Sequence, residues 1–134
     1  MLEHLRAVQA TLAALGHPVH LIAADADDAA PPYFVVGGKA WDDAAEDAVC
    51  GPGDSLDTTV RVMATAGTPT GVLMLLSRAR AALHGSQPAV SGRHVELRWT
   101  RSEFVDVDRD VTIPGTNRHP AWGVDAYRLT SEPA

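Results

Sequence analysis

The residues with the clearest chemical potential are three aspartates at alternate positions, Asp106, Asp108 and Asp110. An Asp-x-Asp-x-Asp pattern is typical of calcium loops, whose sixth position is glycine and whose twelfth is a bidentate glutamate. Counted from Asp106, those two positions hold Val111 and Asn117, so the calcium pattern does not match. We predict instead an extended segment with the three acids on one wet face, where their charge discourages pairing with another strand edge.

The histidines offer weaker chemistry than the aspartates. His17 and His20 are three residues apart, but Pro18 disfavours a helix there, and no carboxylate or cysteine cluster accompanies them. His119 precedes a proline in a predicted turn, where a surface role is favoured over general-base catalysis. The usual nucleophile, phosphate-binding, zinc and dinucleotide motifs do not occur in the sequence. We therefore predict no enzyme activity, no metal and no cofactor.

The elements that must position these residues are organised around one strand, turn and helix. Leu56–Ala66 alternates apolar and polar residues with the period of a half-buried strand, and Met63 is one apolar residue on the wetter face. After a glycine, Thr68 and a proline predict a helix that begins near Thr68–Thr70. The stripe that should cover a sheet face consists of Val72, Leu73, Leu75, Leu76, Ala79, Ala82 and Leu83.

The remaining helix and strands are predicted from shorter patterns of the same two kinds, apolar residues at helical spacing and apolar runs of strand type. Met1–Leu15 carries apolar residues at helical spacing and is predicted to be an amphipathic helix. Strands are predicted over 19–23, 33–36, 94–101, 104–113 and 121–129, with a frayed tail at 131–134. Together these elements predict one α+β domain over residues 1–134. Its mostly antiparallel, mixed sheet should carry the N-terminal and central helices on one face.

Residues 39–55 form a long and unusually acidic predicted loop. Trp41 stands among Asp42, Asp43 and Asp47, followed by a run of glycine and proline. A loop of this length in a compact domain is typically functional or disordered. We predict that it is mobile in the free subunit and ordered by a neighbouring molecule, with Trp41 as the anchor. The alternative is that Trp41 folds back onto its own domain.

Composition and charge exclude two broad classes of protein. Apolar residues make up 46% and charged residues 21% of the chain, and no apolar run reaches the roughly 20 residues of a membrane span. The net charge of −6 argues against a primary nucleic-acid binder, because phosphate attraction supplies most of such affinity. Residues 1–57 carry −8 and residues 58–134 carry +2. This asymmetry suits a subunit with oppositely charged neighbours on its two sides, or else reflects a solvated acidic loop.

The order and spacing of these patterns resemble the tail terminator proteins of long-tailed phages. The resemblance covers roughly Leu5 to Thr130 of this sequence. The segments that carry it are Pro32–Val36, Leu56–Gly67 leading into Thr68, Leu76–Leu83 after Met74 and Leu75, Val107–Asp110 and Val124–Leu129.

The resemblance implies a virion structural protein at the head-proximal end of the tail, assembled in the host cytoplasm. In that family an α+β subunit forms a homohexameric ring that caps the tail tube, ends tail polymerisation and provides the surface for head attachment. The implied partners are further copies of the chain, the tail tube protein and a head-tail connector or stopper protein. Genome DNA would pass through the ring lumen without sequence-specific binding, and no membrane is involved.

We take as candidate subunit or tube contacts Trp41, Asp42, Asp43, Asp47, Arg109, His119 and Trp122. Two alternatives to a terminator remain open at the level of sequence. One is another neck protein, a head-tail connector or stopper, which has a similar size and also oligomerises. The other is a small α+β metal-dependent enzyme that uses Asp106, Asp108 and a histidine.

Overall fold

The computed structural model describes residues 1–22, 30–38 and 55–134. Within these ranges the chain forms two helices and a six-stranded mixed sheet, so the predicted α+β class is confirmed. Neither helix is long and apolar enough to cross a membrane. In chain order the elements are α1 (Leu2–Ala13), β1 (Val19–Leu21), β2 (Tyr33–Gly38), β3 (Leu56–Ala66), α2 (Pro69–Leu83), β4 (Arg93–Ser102), β5 (Asp106–Val107) and β6 (Ala121–Pro133).

The strand, turn and helix at the centre of the chain form as predicted. β3 spans the whole alternating run, and the Thr68 hydroxyl accepts a hydrogen bond from the Gly71 amide at 3.0 Å. Pro69 occupies the first position of α2, where a missing amide hydrogen costs nothing. The chain leaves α2 through Gly85, whose φ of +75° is in the left-handed region that favours glycine.

The sheet places the last strand of the chain at its centre. The strand order is β1-β2-β3-β6-β4, with β5 paired to β6 beyond the end of β4. β6 is antiparallel to β3 along its whole length, from the pair Leu56↔Ser131 to the pair Ala66↔Ala121. β1 is parallel to β2, and the other strand pairs are antiparallel.

Both helices pack on the same face of the sheet, which we call the core face. α1 contacts β1 and β2, and α2 contacts β3, β6 and β4. The buried core lies between these layers and includes Leu5, Val8, Leu12, Phe34, Val36, Val60, Val62, Val72, Leu76, Ala79, Leu83, Leu97 and Leu129. The opposite side, which we call the outer face, carries the alternate residues of each strand. No helix in the described ranges covers it.

A half-buried ion pair and a close approach fix α2 against β6. Arg80 on α2 is 3.3 Å from the carboxylate of Asp125, which is fully buried and also accepts a hydrogen bond from Ser102. The same guanidinium lies 4.1 Å from the ring centroid of Trp99, a cation–π contact. The helix passes directly over Gly123, which leaves the space that a side chain would fill.

Two boundary predictions are wrong for identifiable reasons. Residues 131–134 are not a frayed tail, because β6 runs to Pro133 and pairs with β4. Ser131 is fully buried and hydrogen-bonded by Arg93, which favours an extended, paired end. β2 does not end at residue 36 as predicted, because the two glycines at 37–38 continue it and pair with Arg61 and Val60.

The predicted strand over 104–113 is reduced to the two residues of β5. Asp108 turns the chain because its side-chain oxygen accepts a hydrogen bond from the Asp110 amide at 3.2 Å, a local bond that competes with strand pairing. The three aspartates therefore do not share one strand face. On α2 the apolar stripe is narrower than predicted, since Leu73 is 58% exposed and the adjacent Met74 is 63% exposed.

Candidate interaction surface

The segment that leaves β4 runs along one corner of the outer face and encloses a groove there. The Glu103 amide donates to the Val124 carbonyl at 2.7 Å, and the Asp108 amide donates to the Pro120 carbonyl at 2.9 Å. Between this segment and the sheet lies an open groove of about 670 Å³, which we call the acidic groove. Its floor is formed by Tyr33, Met63, Thr65 and Trp122, and its wall by residues 106–111 and Pro120.

The wall of the acidic groove combines apolar side chains with an excess of carboxylates. Asp106, Asp108 and Asp110 stand against Arg109, and Val111 presents an apolar side chain that is 48% exposed. The Asp106 carboxylate accepts a hydrogen bond from the Val107 amide at 2.7 Å, so this acid helps to shape the turn. Among the residues that the structure describes, no group of three His, Cys, Asp or Glu side chains is placed to hold a metal ion. The groove is suited to a partner with apolar and basic groups.

His119 fixes the wall of the acidic groove through a hydrogen bond to its backbone. Its Nδ1 atom donates to the Val111 carbonyl at 2.7 Å, and the Ile113 amide donates to the Arg118 carbonyl at 2.8 Å. These two bonds tie the outgoing and returning arms of the segment together. The arrangement makes His119 a positioning residue for Val111.

A second groove of about 660 Å³ adjoins the first and shares Asp106 and Trp122 with it. Phe104 lines this groove and is 93% exposed. Its neighbour Val105 points the other way, toward the core face, where its Cγ2 atom lies near Gly123. A large aromatic ring held in water beside a half-buried tryptophan is typical of an anchor at a protein interface.

The rest of the outer face carries several exposed charged residues. Arg61 and Arg101 both approach Glu103, at 3.6 and 3.7 Å, and Arg128 makes a two-pronged contact with Asp57. The hydrogen bonds from Arg128 lower the pKa of the Asp57 carboxyl. Exposed pairs of this kind contribute little to stability, so they can exchange partners at an interface with little loss.

The structure brings together three of the residues predicted from sequence. Trp122 and Arg109 line the acidic groove, and His119 braces its wall. Trp41, Asp42, Asp43 and Asp47 lie outside the described residues, so their role stays a prediction. Sequence reasoning missed Phe104 and Val111, which it assigned to a strand. The sequence feature that could have indicated an apolar surface there was Met63, the apolar residue on the wetter face of β3.

A buried Ser–His pair on the core face has the atoms of a catalytic dyad, but a substrate cannot reach them. His4 Nε2 on α1 is 2.9 Å from the Ser131 hydroxyl, which also accepts a hydrogen bond from Arg93. Ser131 is fully buried and His4 is nearly so, so no substrate can reach the oxygen. Burial lowers the pKa of His4, with smaller contributions from the positive amino terminus and Arg93. The pair joins α1 to β6.

The fold and these surfaces define a small α+β protein whose exposed residues are suited to contact with other proteins. A family model described as Tail completion protein gp17 matches residues 1–118, and the chain belongs to that family. It is therefore a structural protein of the bacteriophage tail and a component of the virion. No curated protein matches the sequence.

Proposed function

We propose that this chain is the tail terminator of its phage. Copies of it form a homohexameric ring on the head-proximal end of the tail tube, which ends tail polymerisation and presents the surface for head attachment. The partners are the neighbouring copies, the tail tube protein and a head-tail connector or stopper protein. Genome DNA passes through the lumen, without sequence-specific contacts and without catalysis by the ring.

The observation that carries this proposal is the outer face of the sheet, which no helix of the described residues covers. In a tail completion protein, a face with two adjoining grooves and the exposed ring of Phe104 supports contact with other proteins. Its ion pairs are exposed, so they can be rearranged when a neighbour docks. The number of subunits rests on the resemblance to tail terminators.

A tube-capping assay tests the proposal. The purified chain is added to the tail tube protein of the same phage while it polymerises, and tube length is followed by electron microscopy. A terminator stops elongation and leaves a ring at one end of each tube, because a capped end no longer accepts tube subunits. Leu2→Glu, a charge placed on an exposed apolar residue of α1, serves as a control that should cap normally.

Two outcomes would contradict the proposal. Tubes that elongate unchanged at excess protein would exclude termination. Rings that bind heads while leaving tube growth unaffected would identify the chain as a connector or stopper instead.

A further inference from the structure

We propose that the acidic groove receives the exposed face of α2 from a second copy of this chain. The inference rests on the proposed function and specifies the contact from which the ring is built. By the exposed face of α2 we mean Leu73, Met74, Ser77, Arg78 and Ala81. An apolar helix face laid into an apolar groove is a recurring mode of protein recognition.

The two surfaces have matching apolar content. Leu73 and Met74 are more than half exposed although they belong to the main packing helix of the domain. The acidic groove offers the half-buried Met63 and Trp122 as a floor and Val111 on its wall. Removing such groups from water stabilises an association in proportion to the apolar area buried.

The two surfaces are also complementary in charge. The groove wall carries three carboxylates and Arg109, whereas the exposed face of α2 carries Arg78 and no acidic residue. Arg78 is exposed, and its guanidinium lies 3.5 Å from another basic group, the ring of His17. The first turn of α2 has no acid to offset the positive end of the helix dipole. A basic helix face and an acidic groove attract each other and set the orientation of docking.

The positions of the two surfaces require the partner to be another molecule. α2 covers the core face of the sheet, and the acidic groove lies on the outer face. The helix and the sheet therefore separate the two surfaces within one chain. Each copy can donate its helix to one neighbour and its groove to another, which is the head-to-tail contact that generates closed rings.

The test uses two variants that each spoil one surface. Met74→Glu places a negative charge on the exposed face of α2, and Val111→Lys places a positive charge on the groove wall. Both positions are about half exposed or more, so the fold should be retained, as checked by thermal melting. Leu2→Glu on α1 is the matched control for an exposed apolar residue replaced by a charge.

Each variant alone should need at least about tenfold more protein to assemble than the wild type, measured by light scattering coupled to chromatography. An equimolar mixture should assemble at a lower total concentration than either variant alone, because the unchanged helix of the Val111→Lys subunit can dock in the unchanged groove of the Met74→Glu subunit.

The other outcomes separate this inference from the proposed function. If the wild type neither self-associates nor caps tubes, the proposed function fails. If the wild type forms rings and both variants form them at the same concentration, only the helix-in-groove contact is wrong. If the variants form rings normally but no longer cap tubes, the groove binds the tail tube protein and the inference is overturned.

Discussion

Phe104 is the most exposed large apolar side chain among the described residues. Its replacement should therefore affect assembly more than folding. Phe104→Ala should change the free energy of unfolding by less than about 0.5 kcal/mol, because the ring contacts little of its own domain. The same change should weaken self-association or tube capping, as a lost interface anchor does. Phe34→Ala is the matched control, since Phe34 is fully buried and its loss should cost about 3–5 kcal/mol. Urea unfolding of both variants checks the contrast, and equal destabilisation would contradict it.

His4 makes stability depend on pH in a predictable direction. Burial lowers its pKa in the folded chain, so the unfolded chain takes up the proton first as the pH falls. The stability is therefore fully present above the unfolded pKa of about 6.5 and is lost as the pH falls toward the depressed folded pKa. We expect wild type to lose more stability between about pH 7.5 and about pH 5.5 than His4→Asn does. An identical pH profile for the two proteins would show that His4 titrates normally.

At the scale of elements, the packing of α2 on β6 depends on a missing side chain. A Cβ atom at Gly123 would lie 3.0 Å from side-chain atoms of Val72 and Val105 and 3.1 Å from Leu76 Cδ1. Gly123→Ala should therefore overpack the core and cost about 1–3 kcal/mol. Gly37→Ala is the control, since nothing lies within 4 Å of a Cβ atom there. A Gly123→Ala protein as stable as wild type would mean that α2 moves away without loss.

The predictable elements are those in which apolar residues recur with a regular period and in which capping or breaking residues mark the ends. β3 and α2 have alternation or a stripe together with a glycine, a threonine cap and a proline, so local chemistry alone places them. The segment 104–113 has alternation without such ends, and the hydrogen bonds that the carboxylates of Asp106 and Asp108 accept from nearby amides turn the chain early. Sheet order follows from long-range pairing, which leaves no local signature.

The candidate site was only partly predictable for a related reason. Arg109 stands out in the sequence as a cation between two aspartates, and Trp122 stands out as one of three tryptophans. The exposure of Phe104, Leu73 and Met74 depends on which elements pack beside them. Apolar residue type alone favours burial for all three. A sequence therefore identifies unusual polar contexts more readily than exposed apolar residues.

At the scale of the whole molecule, the domain depends on a strand outside the matched family region. The family model ends at residue 118, whereas β6 begins at Ala121 and joins β3 to β4. A chain of residues 1–120 should not fold, because β4 loses its strand partner and β3 loses one of two. Circular dichroism and amide exchange check this expectation. Adding residues 121–134 as a separate peptide should restore structure, and a stable 1–120 fragment would contradict the prediction.

The central position of β6 also sets the order of events during synthesis. A ribosome makes α1, β1, β2, β3 and α2 first, and these can begin to pack as they emerge. β4 has no strand partner, and the inner edge of β3 stays open, until β6 has left the exit tunnel and pairs with both. The nascent subunit therefore completes its sheet only after β6 has emerged, later than every other described element. A subunit competent for assembly can therefore form only after β6 has inserted between β3 and β4.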